Sequence, residues 1–353
     1  MVVLLAIALV SFGLMLRLSA RGIGGLLAGL WAAVVLAHLA LPVGHPLLVR
    51  AGGSLRGWLV LGGVLALALG YGMLVRGLRA RARPAPAAAP AEGRFSAAEL
   101  ERYARHIVLR EIGGPGQARL KSARVLVVGA GGLGSPVLLY LAAAGVGTIG
   151  VVDDDTVSNA NLQRQVIHTD ARIGLAKVRS AQIAMKALNP FIEVRAHPVR
   201  VGAENVAGLV ADYDLILDGS DNFVTRYLLN AACVAAGKPL LSGAITQWEG
   251  QLSLYDPARG APCYACVFPE APAPGLAPTC AEAGVVGALP GIVGSMMAAE
   301  AIKEITGAGQ SLRGRLVIHD ALWGESRVIA IARNPDCPQC GAARRGTLGS
   351  EKG

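Results

Sequence analysis

Three groups of residues in this chain of 353 amino acids have types and spacings suited to chemistry. The first is Gly129-Ala130-Gly131-Gly132-Leu133-Gly134, a G-x-G-x-x-G run. Glycines there permit a tight turn and close approach of backbone to a phosphate. A helix starting behind them offers free N–H groups to an anion. Asp153 follows about twenty residues later, where an acid commonly holds a ribose hydroxyl. The second group is Asn161, Arg164 and Lys177. Two cations and an amide near a phosphate-binding turn suit a triphosphate, since they neutralise charge as pyrophosphate leaves. The third is two C-x-x-C pairs, Cys263/Cys266 and Cys337/Cys340. Together they form the ligand set of a closed tetrahedral zinc site, which is structural because no position stays open. Their separation exceeds that of a zinc ribbon, so the fold has to bring them together. Thiolate ligands suit a reducing compartment; two disulfides are the alternative.

These groups need a scaffold. Arg124–Val128 (RVLVV) is apolar and β-branched, as a buried strand requires. It feeds the glycine run and the apolar helix Ser135–Ala144, and a second strand, Thr148–Val152, ends at Asp153. Strand, turn, helix, strand and acid in this order predict an α/β domain, Rossmann-like and three-layered, with a mostly parallel sheet. Asp221 follows the apolar run Asp214–Leu217, near a strand's carboxyl end, where open α/β sheets bind ligands. Ser96 and Glu99 form a capping box for a helix carrying Arg102, Arg105 and His106. Gly113-Gly114-Pro115-Gly116 is expected to be a turn. A helix over Pro290–Thr306 and closing strands near Arg315–His319 and Arg327–Ala332 complete the domain. Cys233 lies in an apolar helix and is expected in the core.

Residues 1–93 differ from the rest. They hold eight Arg and one acid, Glu92, and so seven of the nine net positive charges. The high pI thus belongs to this segment and gives no argument for nucleic-acid binding. Three apolar runs, Met1–Leu16, Gly22–Val49 and Gly57–Val75, predict two or three transmembrane helices over residues 1–83. Arg17 and Arg21 share a side with Arg76, Arg79, Arg81 and Arg83, against Arg50 and Arg56 on the other. The positive-inside rule puts the larger cluster, and the globular part with it, in the cytoplasm. This predicts a multi-pass protein of the inner (cytoplasmic) membrane. A cleaved signal peptide and a buried helical domain are the alternatives for this segment. Residues 84–93 (PAPAAAPAEG) are a semi-rigid Pro/Ala linker. Residues 94–345 form the globular domain and 346–353 a flexible tail.

The run Asn161-Leu162-Gln163-Arg164-Gln165 resembles the signature of the MoeB/ThiF/HesA family, adenylyltransferases related to ubiquitin-activating enzymes. Further matches occur in order. They are Arg102-Tyr103-x-Arg105-His106-Ile107, the glycine run, Asp153-x-Asp155, Ile173-Gly174-x-x-Lys177 and Asp218-x-x-Asp221-Asn222-Phe223-x-x-Arg226. Gly250-Gln251-Leu252, the two cysteine pairs and Cys280-Ala281-Glu282-Ala283-Gly284-Val285 follow. The resemblance covers residues 94–342 and is nearest to molybdopterin-synthase adenylyltransferases, with ThiS-activating enzymes close behind.

The resemblance implies that Gly129, Gly131, Gly132 and Gly134 build the phosphate loop and that Asp153 holds the ribose. Asn161, Arg164 and Lys177 would contact the phosphates. Asp221 and Asn222 would lie at the reacting end with Mg²⁺, and Arg105 would reach ATP across a homodimer interface. Cys280 matches a cysteine that acts in a later step in some relatives and is dispensable in others. The family usually has Ser where this chain has Ala160, which removes one polar contact with ATP. The implied reaction is ATP-dependent adenylation of the C-terminal Gly-Gly of a ubiquitin-like sulfur carrier, of MoaD or ThiS type, with release of pyrophosphate. That places it in molybdenum-cofactor or thiamine synthesis, with sulfur supplied by a donor protein in trans. An inactive membrane-bound scaffold of the same fold and an NAD-dependent oxidoreductase are the rival readings.

Overall fold

The structure is a computed structural model and describes residues 1–15, 20–42, 44–82, 95–273 and 283–341. The Pro/Ala linker, Cys280 and the expected tail lie outside these residues. The chain divides into two compact units, Met1–Ala89 and Pro90–Gly353.

The first unit is helical: α1 (Val2–Met15), α2 (Ala20–Ala40), α3 (Pro46–Ala51) and α4 (Leu55–Ala82). The second apolar run is therefore not one helix. It breaks after Ala40, where Pro42 and Pro46 withhold backbone donors, and resumes as the short α3. Stretches Gly22–Ala40 and Leu55–Val75 are long and apolar enough to cross a bilayer by length and composition. Helix α1, with 14 residues, rises only about 21 Å at 1.5 Å per residue and is short for a span. Helices α2 and α4 touch where Trp31 lies over Gly62, a position at which any Cβ would overlap the indole ring. The Trp31 Nε1–H donates to the Trp58 carbonyl at 2.9 Å.

The second unit opens with α5 (Ala97–Ile107), whose capping box is formed as expected: Ser96 accepts from the Glu99 N–H, and Glu99 accepts from the Ser96 N–H. The expected turn at Gly113–Gly116 is instead the first turn of α6 (Gly113–Ser122). Pro115 is tolerated there because N–H groups of a first turn have no intrahelical acceptor.

Eight strands form one sheet in the order β3-β2-β1-β4-β5-β6-β7-β8. They are β1 (Arg124–Val128), β2 (Thr148–Val152), β3 (Glu193–His197), β4 (Leu215–Asp218), β5 (Leu240–Ile245), β6 (Glu249–Tyr255), β7 (Arg315–Asp320) and β8 (Glu325–Ala330). The first five run parallel and the last three antiparallel. Side chains alternate across the sheet, and the core splits accordingly. Val125 and Val127 of β1 face α7 (Gly134–Ala144), α8 (Lys177–Leu188) and α12 (Ala288–Thr306). Leu126 and Val128 face α9 (Val206–Ala211) and α10 (Phe223–Ala236). Cys233, 2% exposed, lies in the second layer, and burial pushes its thiol up to about 12. The strand order reverses between β1 and β4, so a crevice opens at their carboxyl ends.

Candidate functional site

Three strand ends meet at that crevice. Gly129 follows β1 with φ +96°, and a Cβ there would press on the Gly219 carbonyl. Gly134 lies beneath, so close to the Gly129 carbonyl that no Cβ fits. The turn is thus specified by sterics. Asp153, following β2, accepts from the Ala130 N–H at 2.8 Å through Oδ2 and from the Asp155 N–H at 2.9 Å through Oδ1. One carboxylate therefore ties the glycine turn to the next loop, and each oxygen keeps a lone pair for a ligand.

The crevice is a cavity of about 810 Å³ lined by Gly129, Gly131, Gly132, Asp153, Arg164, Lys177, Asp221 and Asn222, among others. Three expected residues stand apart from it. Gly134 is buried beneath the turn. Asn161 accepts from Arg164 Nη2 at 2.9 Å and so acts on the guanidinium rather than on the cavity. Arg105 is exposed on α5 and lines no part of this cavity. Lys177, whose side chain is 5% exposed, pairs at 2.8 Å with Asp155, which is 67% exposed. The pair fixes an otherwise long, mobile ammonium at the cavity wall.

Asp221 is held from below by a network that the sequence did not disclose. Asp218, 0% exposed at the end of β4, accepts from Ser220 Oγ at 2.6 Å and Ser242 Oγ at 2.8 Å. Arg226 lies 3.6 Å from its carboxylate and donates to the Ser242 hydroxyl and to the Ser220 and Gly243 carbonyls. Asn222 caps α10 by accepting from the Thr225 N–H at 2.9 Å. The loop Gly219–Asn222 is pinned at both ends, and Asp221 stays exposed to the cavity. Asp218 and Arg226 stood in a recognised motif, but nothing in their spacing revealed that they pair. Gln165 and Arg200 also line the cavity without having been singled out. Gln165 Oε1 is buried and finds no donor among the described residues, which suits a site that a polar ligand completes.

The four paired cysteines converge. Cys263 Sγ lies 3.8 Å from Cys266 and 3.6 Å from Cys337, and Cys266 lies 3.4 Å from Cys340. Zinc–sulfur bonds of about 2.3 Å at tetrahedral angles put sulfurs about 3.8 Å apart, so the donor set fits that ion. A disulfide needs about 2.05 Å, and all four are free thiols. Burial, with the neighbouring sulfurs, pushes Cys263 up. Burial also opposes ionisation of Cys337, but the Cys340 and Gln339 N–H groups together with the Cys263 and Cys266 thiols outweigh it and bring that thiol down to about 7. The short α11 (Tyr264–Val267) carries Cys266, and Cys263 precedes it at the N-cap. Its Tyr264 lines the same cavity, with its ring centroid 4.9 Å from that of Phe268. Asn230 of α10 accepts from the Tyr264 N–H at 2.9 Å and lies 3.8 Å from Cys263 Sγ.

Residues 103–339 match the ThiF family. The chain is 51% identical over 252 residues to the sulfur carrier protein adenylyltransferase of Thermus thermophilus, covering 70% of this chain and 93% of that protein. It is 52% identical over 248 residues to the "Probable adenylyltransferase/sulfurtransferase MoeZ" of Mycobacterium tuberculosis, covering 69% of this chain and 63% of that protein. Among solved structures, E. coli MccB with MccA-N7isoASN aligns with a TM-score of 0.62 at 22% identity, covering 68% of this chain and 74% of that one. That likeness concerns the fold.

Proposed function

The chain belongs to the ThiF family, and from that premise we propose that it adenylates the C-terminal glycine of a ubiquitin-like sulfur-carrier protein. The reading is supported chiefly by one observation. The glycine turn, Asp153, Arg164, Lys177 and Asp221 converge on a single cavity at the strand carboxyl ends.

The reaction joins a carboxylate to phosphorus. A carboxylate oxygen of the carrier's terminal glycine attacks the α-phosphorus of ATP, and the bond to the bridging oxygen breaks. Pyrophosphate leaves and an acyl-adenylate remains. Negative charge grows on the leaving group, and Arg164 and Lys177 are the cations that stabilise it. Asn161 and Asp155 hold those two cations in place. Asp221 is an acid facing an anionic substrate, an arrangement that repels unless a cation lies between. Asp221 and Asn222 would hold Mg²⁺, which supplies Lewis-acid neutralisation of the phosphates. The four cysteines would hold a structural zinc ion. Arg105 serves the cavity of a second copy. An apolar groove between α7 and α12, lined by Tyr140, Val166 and Ile292, which are 56%, 61% and 40% exposed, supports a homodimer. Attack on phosphorus needs no thiol, so Cys280 acts only in a later transfer to a sulfur donor in trans.

For the first unit we propose two membrane spans, Gly22–Ala40 and Leu55–Val75. With two spans as with three, Arg17, Arg21 and the Arg76–Arg83 cluster share the cytoplasmic side, and the catalytic unit lies there too. The linker 84–93 separates anchor from enzyme.

Incubating the purified protein with ATP, Mg²⁺ and candidate carriers, then weighing each carrier, tests the reading. One carrier should gain an AMP group. A protein that modifies no Gly-Gly carrier and exchanges no pyrophosphate would overturn it.

A further inference from the structure

Ala130, at the centre of the glycine turn, has both backbone groups claimed. Its N–H donates to Asp153. Its carbonyl faces the Nε2 of His168 at 2.9 Å, and the Nδ1 of the same ring lies 2.9 Å from Ser180 Oγ. The ring is 6% exposed, while Ser180 and Ala130 are fully buried. A carbonyl only accepts, so Nε2 carries the proton; Nδ1 then accepts from the Ser180 hydroxyl. Burial moves the imidazole's pKa down, which keeps the ring neutral and this tautomer in place.

Ser180 is one turn along α8 from Lys177, the residue that opens that helix. The imidazole therefore spans from the phosphate-binding turn to the helix that carries the phosphate cation. Arg172 Nη1 donates to the Ser180 carbonyl at 3.1 Å, which fixes the same turn of α8 from its other side. Without the ring, the Ala130 carbonyl would be a buried acceptor stripped of its side-chain donor, and turn and helix would lose their direct link, leaving the longer path through Asp153, Asp155 and Lys177. A phosphate site depends on that distance, because misplacing one part by about 1 Å can cost about a hundredfold in rate.

We propose that His168 is a positioning residue that holds the glycine turn at a fixed distance from Lys177 and so sets the affinity for the ATP triphosphate. The proposal rests on the adenylation reading given above.

ATP affinity by equilibrium titration, and the KM values for ATP and carrier in pyrophosphate exchange, test it. His168→Phe keeps a planar ring of slightly larger volume and removes both hydrogen bonds. It should weaken ATP binding at least tenfold and leave the KM for carrier near that of the wild type. His168→Gln can still donate to the Ala130 carbonyl and should restore affinity to within about threefold. Leu120→Ala serves as a control for stability alone: it should melt lower and bind ATP normally. If His168→Phe bound ATP like the wild type, or if His168→Gln were as weak as His168→Phe, the proposal would fall. Should His168→Phe not fold, Ser180→Ala decides. It frees Nδ1 without disturbing the ring's volume; a several-fold rise in KM for ATP supports the proposal and an unchanged value overturns it. Wild-type protein that neither binds ATP nor exchanges pyrophosphate would refute the adenylation reading itself. Normal wild-type exchange with normal His168 variants would refute this inference alone.

Discussion

The two cavity residues proposed to act on the triphosphate, Asp221 and Arg164, have few structural duties. Among the described residues Asp221 makes none of the buried bonds that pin its loop, and the Arg164 guanidinium is tied to Asn161 and the Ala160 carbonyl alone. Arg164→Ala and Asp221→Ala should therefore each lower pyrophosphate exchange by roughly a hundredfold or more, as loss of one preorganised charge-stabilising group does. Melting curves should stay within a few degrees of the wild type. Near-normal exchange in either variant would remove that residue from the mechanism. Cys280→Ala should leave exchange unchanged, because no thiol enters the first step; a collapse of exchange would place the thiol there after all. The glycine turn, Asp153 and the paired cysteines were legible at this scale because each is dictated locally, by sterics or by ligand spacing. Gly134, expected with the phosphate loop, packs against the Gly129 carbonyl and does not line the cavity. Spacing shows that a glycine is required, but not whether a phosphate or a neighbouring carbonyl requires it.

Element α10 carries more than its length suggests. Asn222 caps it, Arg226 anchors the Gly219–Asn222 loop one turn on, and Asn230 meets the cysteine cluster a turn later. The spacing of four places all three on one face. Arg226→Met would leave Asp218 charged and unpaired at zero exposure, which costs about 3–5 kcal/mol. A thermal melt should show a large drop, and the Asp218→Asn, Arg226→Met double variant should recover part of it. A single variant as stable as the wild type would show that the pair has no structural weight. None of this was legible in sequence, because the pair joins β4 to α10 and draws in Ser242 from β5. The misreading of Gly113–Gly116 has a different origin. Glycine and proline usually end regular structure, but a proline in the first turn of a helix loses no hydrogen bond there. By contrast, the strands β1, β2 and β4 were readable because burial on both faces makes parallel strands continuously apolar.

On the scale of the whole chain, anchor and enzyme are expected to be separable. A protein starting near Arg94 should be soluble, dimeric and active in exchange, and should lose only membrane attachment. Fractionation, size measurement and exchange on the truncated protein check this. Insolubility or inactivity would make the apolar segment part of the catalytic fold. The purified second unit should contain one zinc ion per chain, and chelation under reducing conditions should lower its melting temperature, since binding energy at such a site is folding energy. Metal-free protein of undiminished stability would count against the zinc site.

The cysteine cluster also imposes an order of events on biosynthesis. Cys263 and Cys266 leave the ribosome about seventy residues before Cys337 and Cys340. At roughly 5–20 residues per second, the first pair waits about 4–14 s for its partners. For that interval it is a solvent-accessible vicinal dithiol, open to oxidants and to stray soft metals. Tyr264 lies between the two early cysteines and would gain a metal tether only when the second pair arrives. Oxidative stress would harm newly made copies far more than finished ones.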